Sequence, residues 1–252
     1  MYKHHLSGDL EGEHHPDRIR SRLESEQQHS YLGDAVLGGI DGCVTTFAVV
    51  AGAVGAGFPS TVAIVLGTAN LLADGFSMAA SNYQASRTEQ ERLIRARRHE
   101  ERHIDQIPEG EREEVRQIYR RKGFSGEGLE HIVETITADR KLWVDTMITE
   151  ELGLPLEPAA PLRAGLATFV AFLVVGLVPL LPFLVSGLAS GHIFTASCVM
   201  TALAFFAVGS AKGHWLGTSR LRGGLETLAV GAVAAGLAYG VGAWLRAMFG
   251  VS

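Results

Sequence analysis

The stretch Asn70-Leu-Leu-Ala-Asp74-Gly-Phe-Ser-Met78 decides how this chain is read, because it sets a carboxylate inside a long apolar run. On a helix, positions i, i+4 and i+8 share one face, so Asn70, Asp74 and Met78 form a stripe. The preceding apolar run carries Asp34 and Asp41, which are seven residues apart and again share a face. A carboxylate at the bilayer centre costs about 2.5–3.5 kcal/mol on insertion scales, so such residues are rarely decorative. Oxygen donors with one thioether, inside a membrane, point to a path for a divalent transition metal.

Outward from this stretch, charge is segregated. Seventeen of the 27 acids and twelve of the 22 Lys and Arg residues lie between residues 88 and 158; from Pro161 onward there are one acid, Glu226, and five bases. The averages, 47% hydrophobic and 19% charged, would suit a soluble protein, but the blocks describe a membrane protein with a charged insertion. The net charge of −5 is modest and no basic cluster interleaves with aromatic residues, which argues against nucleic acid as a partner. Cys43 and Cys198 both fall in apolar runs, so no structural disulfide is expected. The polar, His-bearing start (His4, His5, His14, His15, His29) does not read as a cleavable signal peptide.

The expected fold is all-α, with five transmembrane helices and a three-helix cytoplasmic insertion between the second and third. Residues 1–31 form a tail with a short amphipathic helix (Ile19, Leu23). Residues 32–87 hold two spans separated by Phe58-Pro59-Ser60, and dense glycine there favours close helix approach. Residues 88–158 form the insertion. Leu93, Ile94, Ile104 and Ile107 pattern its first helix, which Pro108 ends, and a second runs from Glu109 to Lys122. A third, over Gly126–Leu152, turns Leu129, Ile132, Val133, Ile136, Leu142, Trp143 and Met147 inward. Residues 159–252 supply spans over about Leu162–Leu188, Ile193–Lys212 and Gly224–Phe249, each long enough for the ~20 residues a membrane helix needs. Basic residues lie in the tail, the insertion and the Lys212–Arg222 loop, so these are expected in the cytoplasm and the C-terminus outside.

In the spans, Asp41 and Met78 are the candidate metal ligands, and Asp74, Asn70 and Asp34 the candidates for proton coupling or polar lining. Asp34, about two residues into its span, also fits an interfacial position among headgroups. In the insertion, Glu100 and His103 form a Glu-x-x-His pair of the kind that binds metals in helical carboxylate proteins. Glu111 and Glu114 repeat the spacing, while Met147 and Glu151 are i, i+4 with Glu150 adjacent. A charged helix face is more often simply solvated, but here three helices each offer a pair.

Taken with Asp41-Gly42, Thr45-Thr46-Phe47, Ser77-Met78, Ile107-Pro108-Glu109, Trp143-Val144-Asp145, Glu151-Leu152-Gly153-Leu154 and Pro179-Leu-Leu-Pro182, these residues resemble the vacuolar iron transporter family from Leu32 onward. The resemblance implies five spans per subunit, a homodimer with its pore between subunits, a three-helix cytoplasmic metal-binding domain, and export of Fe²⁺ in exchange for protons. It implies that Asp41 and Met78 bind metal in the pore, and that Glu100, Glu111, Glu114, Met147 and Glu151 bind it in the insertion. The family pattern has Glu where this chain has Asn70 and His103. His103 remains a competent ligand, whereas Asn70 cannot carry a proton, which leaves Asp74, one turn along, as the local substitute.

The expected partners are therefore Fe²⁺ (or Mn²⁺, Zn²⁺, Co²⁺) as substrate, protons, the lipid bilayer and a second copy of the chain. No prosthetic group is expected, and the expected location is a prokaryotic plasma membrane. The rival readings are an intramembrane hydrolase, a ferroxidase-like protein, and a membrane-anchored metal sensor or store. Against the first, no HExxH pair falls within any of the five spans, and the oxidase needs paired Glu-x-x-His motifs where the insertion has one.

Overall fold

A computed structural model describes residues 14–24, 29–185 and 190–250. His4 and His5 of the His-rich tail lie outside them. The regular structure of the described residues is all helical, with no strand among them. In chain order the helices are α1 (Pro16–Glu24), α2 (Leu32–Gly55), α3 (Ser60–Gln106), α4 (Pro108–Arg121), α5 (Gly126–Ala138) and α6 (Arg140–Thr146), the last running into a π-helical turn (Met147–Glu151). Then come α7 (Pro161–Gly176), a 3₁₀ turn (Val178–Leu180), α8 (Leu181–Leu184), α9 (Ser190–Trp215) and α10 (Arg220–Phe249). Five stretches are long and apolar enough to cross a membrane: Leu32–Gly55, the first part of Ser60–Gln106, Pro161–Leu184, His192–Trp215 and Arg220–Phe249.

The chain divides into two compact units. Among the described residues the first holds 14–24, 30–84, 161–185 and 190–250. Helix α2 is its hub, packing against both α7 and α10. Apolar side chains gain nothing by leaving lipid for one another, so helices in a bilayer associate through close backbone approach. Small residues permit it: a Cβ on Gly38 or Gly42 would strike the Thr168 or Phe172 carbonyl on α7. One on Gly55 would strike the Tyr239 carbonyl on α10. Between these seams, Val50, Leu71, Phe172 and Leu180 form a buried cluster, with Met78 packed partly against it.

The second unit is built from residues 85–160 with His29. Its core is Ile104, Val115, Leu129, Val133, Ile136, Trp143, Val144, Met147 and Ile148. Pro108 opens α4 at a position where its missing N–H costs nothing, and Gly123, at φ +99°, turns the chain out of it.

The elements differ from the sequence expectation at three places. The first helix of the insertion is not a separate element: α3 is a single helix of 47 residues, since nothing between Ser60 and Gln106 breaks it before Pro108. The Gly126–Leu152 segment is two helices, because Asp139 takes an extended conformation and caps α6 by accepting from the Lys141 and Leu142 amides. The third span is interrupted after Gly176, where Pro179 and Pro182 force a 3₁₀ turn and a short helix. Three of the apolar positions expected to pattern these helices also face outward: Ile94 is 46% exposed, Ile107 61% and Leu142 43%, the last two beside the turn at Pro108 and the break at Asp139.

Candidate metal sites

Two sets of polar side chains, one in each unit, hold the residues expected to meet metal. In the apolar unit, the half-buried carboxylates of Asp41 on α2 and Asp74 on α3 lie within electrostatic reach of each other. Among the described residues neither carboxylate has a hydrogen-bond or ion-pair partner. Asn70, one turn before Asp74, keeps its amide nitrogen buried and without a hydrogen-bond partner among the described residues. Met78, one turn beyond, is the part of the stripe that leans on the apolar cluster of Val50 and Phe172.

The stripe has a fourth member that the sequence reading missed. Asn82, the next i+4 step, donates through its amide to the Asp34 carboxylate at 2.8 Å, to the Thr168 hydroxyl at 2.7 Å and to the Ala164 carbonyl at 3.2 Å. Thr168 is fully buried and donates in turn to the Ala164 carbonyl at 3.1 Å. Asp34 is thus held within the packing of α2, α3 and α7, not simply turned to headgroups. The signal was present in the 70, 74, 78, 82 spacing.

In the second unit, α3, α4 and the π turn bring Glu100, His103, Glu111, Glu114 and Glu151 within electrostatic reach. Glu100 and Glu111 are 3% and 4% exposed, while Glu114 and Glu151 are open to solvent. His103 Nδ1 lies 3.2 Å from Glu111 Oε1, and the second Glu111 oxygen is buried without a hydrogen-bond partner. Burial, and then the like charges of Glu114 and Glu100, push the Glu111 carboxyl up to about 7, although His103 pulls the other way. Burial likewise raises Glu100 and Glu151. His99, not singled out from sequence, lies against His103 with ring centroids 3.9 Å apart and the rings tilted by 53°, and adds a second imidazole.

Not every expected residue joins this cluster. Glu150 turns to Lys122, 2.6 Å away, and Met147 is wholly buried among Val144, Ile148 and their apolar neighbours. The π turn carries Glu150 and Glu151 into different surroundings, as such widened turns often do at functional positions. Among the described residues no three His, Cys, Asp or Glu side chains close into a shell for one ion. The arrangement is an acidic basin, with two of its carboxylates withdrawn from water.

Comparison with known proteins now bears on this geometry. A profile of the VIT family matches residues 32–243, which takes in four of the five apolar stretches whole, most of the fifth, and the insertion between them. The chain belongs to the VIT family. It is 31% identical over 256 residues to a vacuolar iron transporter of Toxoplasma gondii, covering 98% of this chain and 83% of that protein. To vacuolar iron transporter 1 of Arabidopsis thaliana it is 32% identical over 207 residues, covering 82% of each. A vacuolar iron transporter of Centaurea cyanus is 31% identical over 225 residues, covering 87% of this chain and 91% of that one. Membership of the VIT family makes this a multi-pass membrane protein and not an enzyme.

Proposed function

We propose that the chain exports Fe²⁺ from the cytosol in exchange for protons, through a pore between two copies lined by Asp41 and Met78. The observation that carries the proposal is the pair Asp41 and Asp74: two carboxylates within electrostatic reach, inside apolar spans, with no cationic partner among the described residues. Two such charges are costly in a bilayer unless a cation or a proton joins them, and this chain's named relatives are iron transporters. The acidic basin of Glu100, His103, Glu111, Glu114 and Glu151 then serves, on the cytosolic side, to gather ions before they cross. Its openness suits that task, since a transport site must bind well enough to fill and weakly enough to empty. Met147 and Glu150 would join it only by moving from their present partners.

Proton exchange follows from shared oxygens, because carboxylates and imidazole must be deprotonated to hold metal. Asp74 is proposed as the carrier in place of Asn70. Mn²⁺, Zn²⁺ and Co²⁺ are the alternative substrates, as the carboxylate, imidazole and thioether donors suit them also. The deciding measurement is Fe²⁺ flux into proteoliposomes. Asp41→Ala should reduce it at least about tenfold, and flux at the level of the unsubstituted chain would remove Asp41 from the pore.

A further inference from the structure

We propose that the face of α3 carrying Arg95, His99 and Arg102 is a binding site for a phosphate-bearing anion. Arg92, Arg95, His99 and Arg102 follow one another at i, i+3, i+7 and i+10, which sets all four on a single side of the helix. With Leu152 and Leu154 they line a concavity of about 640 Å³ that no carboxylate lines.

The distribution of acids makes this face unusual. The second unit has more acids than bases, and most of its arginines hold one: Arg92, at the end of this same face, with Glu89, Arg97 with Asp145, Arg112 with Glu109, Arg116 with Glu113 and Glu130, Arg140 with Asp105. Among the described residues neither Arg95 nor Arg102 has a carboxylate at ion-pair distance. Arg95 and Arg102 also border a concavity lined by Glu91, Glu101 and Asp105, yet none of these reaches ion-pair distance of them, and like charges at helical spacing repel, so the two guanidinium groups are left to take an anion from outside. Arg102 is also oriented, its Nε donating to the Arg98 carbonyl at 3.2 Å, which leaves its terminal amino groups for a ligand.

Phosphate is the anion this chemistry fits. Guanidinium presents parallel N–H donors that match two phosphate oxygens at once, and two forks with an imidazole between them can surround a single group. Leu152, 40% exposed, and Leu154 give the rest of the ligand an apolar floor. The phosphate can come from a soluble ester or pyrophosphate, or from a lipid headgroup. The experiment separates the two sources, and it substitutes none of the residues proposed to hold metal.

The purified full chain in detergent is titrated calorimetrically with inorganic pyrophosphate. In parallel, the thermal midpoint is read in nanodiscs of phosphatidylcholine with and without phosphatidic acid. Arg95→Gln with Arg102→Gln should weaken pyrophosphate binding by about tenfold or more, the loss expected of one charge-assisted hydrogen bond. Arg121→Gln, an exposed arginine elsewhere in the unit, should leave it unchanged. Arg95→Lys with Arg102→Lys, which keeps the charge and removes the forks, should fall between. A midpoint raised by phosphatidic acid in the unsubstituted chain and not in the double Gln variant, without pyrophosphate binding, assigns the site to a lipid headgroup. If neither reagent distinguishes the double Gln or double Lys variant from the unsubstituted chain, the site does not exist.

Discussion

At the residue scale, two side chains show how a fold sets chemistry. Glu111 is an ordinary acid in the sequence, yet burial and the neighbouring Glu114 and Glu100 raise it from about 4.5 to about 7. Between those values the folded chain holds a proton that the unfolded chain has released, so stability of the metal-free protein falls as pH rises through that window. Glu111→Gln should flatten this dependence in thermal unfolding scans between about pH 5 and pH 8. Metal affinity of the basin should rise over the same interval, because the same proton must leave first. Asn82 is the second case. Its amide joins Asp34, Thr168 and Ala164, so Asn82→Ala leaves a half-buried carboxylate without its donor. Such a loss costs about 1–3 kcal/mol, and it should appear as a lower unfolding midpoint in detergent, while Asn82→Gln recovers part of it.

At the scale of elements, small residues govern the first unit and apolar periodicity the second. The seam between α2 and α7 depends on Gly38 and Gly42 meeting the carbonyls of Thr168 and Phe172. Gly42→Val has no room against backbone, which cannot move aside as a flexible side chain would. It should abolish recovery of folded protein, measured as the monodisperse fraction on gel filtration, whereas Gly33→Val, in open space, should not. Glycine density, Pro108 and the Phe58-Pro59-Ser60 joint were all legible in the sequence as helix approach, stop and turn. The division at Asp139 was not, because a residue that can cap one helix can also lie exposed on a longer one, and only the packing of Ile136 and Trp143 decides between them. Leu142, just after that break, was misplaced for the same reason.

At the scale of the whole molecule, the proposed exchange makes a thermodynamic demand: metal movement must respond to a proton gradient. With the gradient collapsed by nigericin, Fe²⁺ accumulation in proteoliposomes should fall to the level set by the metal gradient alone, and Asp74→Asn should remove the dependence on pH. Accumulation indifferent to the gradient would leave a uniporter. The sequence by itself determined the five apolar stretches, the charged insertion and the family, since each is written in the order and spacing of residue types along the chain. It also placed Asp41, Asp74 and the Glu-x-x-His pair on helices. Tertiary structure alone decided which of these acids meet. It brought Asp41 to Asp74, withdrew Glu100 and Glu111 from water beside His103, and sent Glu150 to Lys122 and Met147 into the core. The physical reason is that burial and through-space charge depend on what lies across from a residue, and no spacing along one helix specifies that.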